Sequence, residues 1–120
     1  MTKDNYLLRE LYRLLDDYSD FNHIHKGSVI NAIKFLNEFI IPRNIQNPTL
    51  EIHPDNQVAF TYRKQGVGIV NIAFNPNGTV TWAGFKDKEN KKMKGRFHIG
   101  YYIDNKLEDL IKFISRGGSD

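Results

Sequence analysis

Between Leu50 and Ile99 apolar and polar positions alternate in short runs, and on both sides of that stretch apolar positions recur at helical spacing. Val58, Phe60 and Tyr62 fall on one side of the first clear run, with Ala59, Thr61 and Arg63 on the other. The alternation resumes in Val70, Ile72 and Phe74 and again in Val80 and Trp82, with turn residues between the runs. Successive side chains of a strand point to opposite faces, so this period of two predicts half-buried strands. The strands are expected at Leu50–His53, Gln57–Arg63, Val67–Phe74, Thr79–Phe85 and Phe97–Tyr102. Asn75-Pro76-Asn77-Gly78 is the strongest turn signal, because Asn-Gly supplies positive φ at a hairpin corner.

The first helix is predicted from about Asp4 to Tyr18, where Leu7, Leu8, Leu11, Leu14, Leu15 and Tyr18 make one apolar stripe. Thr2 or Asp4 can cap its start. Asp16, Asp17 and Asp20 oppose the dipole at its end. A second helix is expected over Ser28–Ile41, with Val29, Ile33, Leu36 and Ile40 on one face and Pro42 ending it. Ser28 suits its cap, and the alternative is a longer helix that begins at Asn22 and tolerates Gly27. Asp104 opens a last helix carrying Leu107, Leu110, Ile111 and Ile114, which Gly117-Gly118 stops.

The predicted order is ααβββββα. The connections between strands are too short for crossovers, so the sheet is expected to be antiparallel. The expected fold is α+β: two N-terminal helices, a four- or five-stranded meander, and a C-terminal helix packed on one sheet face. Leu11, Leu15, Ile33, Leu36, Leu110, Ile111 and Ile114 are the predicted core beside that face. At 120 residues, with 40% hydrophobic and 12% aromatic residues, the chain is read as one globular domain. A chain of this size buries roughly two-thirds of its unfolded surface, enough for a core without staples.

Composition narrows the chemistry. There is no cysteine, so disulfides and thiolate metal sites are excluded. The apolar runs fall short of the ~20 residues of a membrane span, and the N-terminus lacks a signal-peptide core, so a soluble, cytoplasmic protein is expected. His23-x-His25 could supply two metal ligands, but neither His53 nor His98 is linked to it as a third, and no metal is expected. Ser19, Ser28, Ser115 and Ser119 form no G-x-S-x-G motif. Gly66-Val67-Gly68 opens a strand and so lacks the helix N-terminus that binds phosphate. No set of residues pairs a nucleophile with a base, and a non-enzyme without cofactor is expected.

The formal charge of +3 is concentrated. Lys86, Lys88, Lys91, Lys92, Lys94 and Arg96, against Asp87 and Glu89, give residues 86–96 a net +4 and leave the remainder at −1. Such a segment suits phosphates or an acidic protein face, or is simply a solvated hairpin loop. Tyr62 and Trp82 are the aromatic candidates: either core residues, or rings on the open face serving as a stacking platform or protein anchor.

The stretch Pro48-Thr49-Leu50-Glu51-Ile52-His53-Pro54-Asp55-Asn56-Gln57-Val58-Ala59-Phe60-Thr61-Tyr62, followed by Gly66 and Asn77-Gly78, resembles a pattern in small uncharacterised bacterial proteins common on mobile DNA. Those proteins join a helix through a proline-containing connector to an antiparallel meander. Asn56 stands where they carry Gly and Tyr62 where they carry Trp, and the similarity covers the middle third of the chain. An abundance of Lys, Asn and Ile, as AT-rich coding produces, points to the same bacterial or phage setting. The resemblance implies the fold, together with a setting rich in antitoxins, immunity proteins and phage inhibitors of defence systems. The expected function is therefore a non-catalytic inhibitor or neutraliser of a protein partner, with a nucleic acid-handling complex as one candidate. The alternative is a nucleic acid-binding accessory protein using residues 86–96. No membrane partner is expected, and the pattern specifies no oligomeric state.

Overall fold

The computed structural model describes residues 5–16, 24–101 and 103–118. Helix α1 (Tyr6–Asp16) precedes α2 (Lys26–Phe35), which runs on into a π-helical turn, Leu36–Ile40. Five strands follow, β1 (Thr49–Ile52), β2 (Val58–Lys64), β3 (Gly68–Phe74), β4 (Thr79–Lys86) and β5 (Lys91–His98), and α3 (Asn105–Ser115) closes the order. The strands form one antiparallel sheet in sequence order, β1-β2-β3-β4-β5. This is the α+β meander with a C-terminal helix that the periodicities predict.

Two-residue periodicity assigns the even-numbered positions of β2, β3 and β4 to one face. Phe60, Tyr62, Val70, Ile72, Phe74, Val80 and Trp82 are all buried there. Helices α2 and α3 pack on that face, and α1 packs on α2. Phe35 of α2 is the hub, with ring centroids 5.1 Å from Phe39, 5.5 Å from Phe74 and 6.3 Å from both Phe60 and Phe97. Leu11, Ile33, Leu36, Leu110, Ile111 and Ile114 are buried as expected, but Leu15 is only partly so, at the rim of α1. Gly84 lies under α3: a Cβ there would run into Leu110 Cδ2 and lie 3.0 Å from the Ile69 carbonyl oxygen. The bare backbone lets the helix sit close on the sheet.

Several boundaries differ from expectation. Asn5 caps α1, its Oδ1 accepting from Leu8 N–H at 3.0 Å. Thr2, Asp4, Asp17, Tyr18 and Asp20 lie outside the described residues. Helix α2 begins at Lys26, so Gly27 is helical and Ser28 is not its cap. Ser28 is fully buried instead, and its hydroxyl donates to the Phe74 carbonyl (2.5 Å) while accepting from Val58 N–H (2.8 Å). Asp104 caps α3 as predicted, accepting from Lys106 N–H at 3.0 Å. Gly117 and Gly118 end α3 with positive φ, bonding back to Ile114 and Phe113.

The largest correction concerns the last strand. It spans Lys91–His98 rather than Phe97–Tyr102, and Tyr102 lies outside the described residues. The basic segment is therefore a β-hairpin, with only residues 87–90 turning between strands and Asn90 in the left-handed region (φ 49°). The reason is period two within the charge run: Lys92, Lys94 and Arg96 alternate with Met93, Gly95 and Phe97. The second set lies opposite Gly84, Trp82 and Val80 on the covered face.

Candidate binding face

The odd-numbered positions of β1 to β4 and the even-numbered positions of β5 build the other face of the sheet. Strand pairing aligns them in rows: Glu51, Ala59, Ala73, Thr81 and Arg96, then Thr49, Thr61, Asn71, Ala83 and Lys94, then Arg63, Ile69, Phe85 and Lys92. Small side chains fill the middle, so the surface is hollow there. Ala59 and Thr61 are sunk and buried even on this side, while Thr81 and Ala83 are exposed. Asn71 Nδ2 donates to Thr61 Oγ1 at 2.8 Å, holding both polar groups in the floor. The hollow measures about 860 Å³, with Asn71, Ala73, Thr81 and Ala83 in its floor. His53, Asp55 and Gln57 border it on one side, and Lys94 and Arg96 on the other. A second depression of about 590 Å³ continues over Ile69, Phe85, Lys92 and Met93.

Charge is graded across this face. Lys92, Lys94 and Arg96 are exposed on β5, spanning about 13 Å along the strand. Glu51 and Asp55 mark the opposite, β1 side, roughly 19 Å away across four strand spacings. Arg63 shares a row with Lys92. Surface potentials of this kind act through summed charge rather than single contacts.

The six cations of the basic segment are thus divided. Lys92, Lys94 and Arg96 stand together on the open face. Lys88 is exposed in the turn. Lys86 lies on the covered side, its Nζ 4.4 Å from the Phe113 ring centroid and 3.6 Å from Glu89. Lys91 is paired with Lys86 at the same end and belongs to the covered face. Tyr62 and Trp82 are 5% and 3% exposed on that covered face, so neither offers a ring to a partner. The Tyr62 hydroxyl donates to the Gln46 carbonyl (2.7 Å), and burial pushes its pKa well above the ordinary tyrosine range. Trp82 Nε1 donates to Asp104 Oδ2 at 3.3 Å. Phe85 is the only Phe, Tyr or Trp that the register places on the open face among the described residues.

Sequence reading missed Arg63, Asn71 and Thr81 as site residues. Their signal was the polar half of the strand alternation. His25 precedes α2, and His98 Nδ1 lies 2.8 Å from the Ile99 carbonyl oxygen; His23 is outside the described residues. Among the described residues no three His, Asp or Glu side chains gather as a metal site requires, and no helix is long and apolar enough to cross a membrane. Compared with protein-family models, curated proteins and solved structures, the chain matches none.

Proposed function

We propose that this protein is a non-catalytic binding protein that inhibits or neutralises a protein partner by holding an acidic surface of it against the open sheet face. The setting is that of phage and mobile-element proteins of the anti-defence, antitoxin or immunity type, acting in the cytoplasm. The observation that supports this reading is the rank of Lys92, Lys94 and Arg96 along one uncovered strand, with Arg63 across the sheet. The sheet fixes the backbone positions from which these charges project, so binding has side chains and not a loop to order. The hollow beside them accommodates a protruding partner element.

Nucleic acid is the second reading, and the same cations favour it. Proteins that hold single strands without sequence preference add aromatic platforms to their basic grooves. Here Tyr62 and Trp82 are turned into the core, and among the described residues Phe85 is the single Phe, Tyr or Trp ring on the open face, short of a platform for successive bases. That difference favours an acidic protein.

The test is triple reversal, Lys92→Glu, Lys94→Glu and Arg96→Glu, which shifts the face by six charge units. All three side chains are exposed, so the circular dichroism spectrum and melting temperature should change little. The wild type should retain an acidic protein from host extract that the variant releases, with the loss mainly in association rate. Retention by the variant would refute this reading. Micromolar oligonucleotide binding that falls steeply with salt would replace it with the nucleic acid reading.

A further inference from the structure

Strand β5 is an edge of the sheet, and the direction of its backbone groups follows from its hydrogen bonds. Ile99 N–H donates to the Gly78 carbonyl (2.8 Å), one step beyond the Thr79–His98 pair. Antiparallel ladders bond at every second residue. Phe97, Gly95, Met93 and Lys91 therefore turn their backbone groups toward β4. The bonds on the other side of β4 agree, since Asn75 N–H donates to Thr79 O and Asp87 N–H to Val67 O. Arg96, Lys94 and Lys92 must then turn their N–H and C=O groups outward. Among the described residues no backbone hydrogen bond reaches them from outside the sheet. The residues whose backbone groups turn outward are the same residues whose cationic side chains stand on the open face.

We infer that β5 takes up an extended segment of the partner as a sixth, antiparallel strand, and that this segment alternates acidic and apolar residues. The inference rests on the reading of the open face as a site for an acidic protein. In a hydrogen-bonded antiparallel pair the two side chains share a face, with Cα atoms about 5.5 Å apart. An added strand that bonds to Lys92, Lys94 and Arg96 therefore sets its own i, i+2 and i+4 side chains beside those cations. Opposite charges there stabilise the pairing, and like charges oppose it. The intervening side chains fall on the covered side, beside the half-buried Met93 and Phe97, which favours apolar residues. One register satisfies backbone, charge and apolar contact together, the combination by which strand addition obtains both affinity and specificity. A second copy of this chain does not meet it: β5 against β5 sets cations opposite cations, and the other edge, β1, turns the backbone groups of Leu50 and Ile52 outward, so apolar residues and not Glu51 would pair with the cations.

The probe is a fluorescein-labelled peptide with the core Glu-Val-Glu-Val-Glu. It is compared with the same peptide N-methylated at its three glutamates and with a contiguous-acid peptide, Val-Val-Glu-Glu-Glu, of equal charge. The alternating peptide should bind, and slow the amide exchange of Lys92, Lys94 and Arg96. N-methylation removes three donors without changing charge and should weaken binding about tenfold or more. The contiguous peptide should bind as weakly as the methylated one. Equal binding of all three would overturn strand addition while leaving the acidic-partner reading in place. Binding of none would also overturn it, and would make the cations a guard against strand pairing. If oligothymidylate then bound where all peptides failed, the acidic-partner reading would fall as well.

Discussion

Replacing Ser28 with Ala tests how the sheet is joined to the helices. The bond from His53 N–H to Gln57 O sets the odd residues of β2 toward β1, and Asn75 N–H to Thr79 O sets the odd residues of β3 toward β4. Val58 and Phe74 would then be the next hydrogen-bonded pair beyond Phe60 and Ile72. The Ser28 hydroxyl stands between them, accepting from Val58 N–H and donating to Phe74 O. Alanine would leave two buried backbone groups without partners, each costing ~1–3 kcal/mol. Partial closure of the strands would recover some of this, so a loss of about 2–4 kcal/mol is expected. That is a large part of the ~5–15 kcal/mol that stabilises a domain. Equilibrium urea unfolding followed by Trp82 fluorescence measures it, with an unchanged m value showing that the unfolding transition is the same. Ser115→Ala is the control, since among the described residues that part-buried hydroxyl bonds to carbonyls of its own helix (2.8 Å to Ile111 O); its cost should stay within about 0.5 kcal/mol. If Ser28→Ala costs no more than the control, the inserted hydroxyl is not what joins α2 to the sheet.

Tyr62 makes stability depend on pH in the alkaline range. Its pKa is raised on folding, so the folded state holds the phenolic proton more tightly than the unfolded state does. The contribution is complete below the unfolded value of about 10 and declines above it, by up to ~1.4 kcal/mol per pH unit. Urea midpoints between pH 9 and 11 should show the decline, and Tyr62→Phe should flatten it while losing the hydrogen bond to Gln46; an equal slope in that variant would show that another group titrates. Gly84→Ala should cost about 1–3 kcal/mol by overpacking, because its Cβ meets Leu110 and the Ile69 carbonyl. Combining it with Leu110→Ala should give a loss smaller than the sum of the two, and strict additivity in thermal melts would place α3 farther from the sheet.

The strands from Val58 to Phe74 were legible because large apolar residues mark one face and small or polar ones the other. Strand β5 was not, because Lys92, Lys94 and Arg96 hid the same alternation under a charge run and Gly95 adds no apolar mark. Gly95 is there for packing: a Cβ would lie 2.6 Å from Asp104 Oδ2 and 2.7 Å from Trp82 Nε1. Local reading also misplaced Ser28, since serine at the start of an apolar stripe looks like a helix cap. Its true partners, Phe74 and Val58, are 46 and 30 residues away. The open face needed cross-strand register as well: Arg63 and Lys92 share a row only because three hairpins bring β2, β3, β4 and β5 into line. The alternatives for Tyr62 and Trp82 were separable only by which face the helices cover.

The π-helical turn at the end of α2 has a bearing on chain length. Ile41 N–H donates to Leu36 O (2.9 Å), a ring that encloses one residue more than an α-helical turn. Phe35, Leu36, Phe39 and Ile40 are buried on both sides of this wide turn, and Asn37 and Glu38 within it are exposed. The helix therefore holds a surplus position among its solvent-facing residues. A chain lacking Asn37 would wind this stretch as regular α-helix, with Phe35 before the gap and Pro42 after it close to their present places. Single-residue insertions and deletions ordinarily rotate everything downstream out of phase; at this turn a loss of one residue should leave the sheet undisturbed.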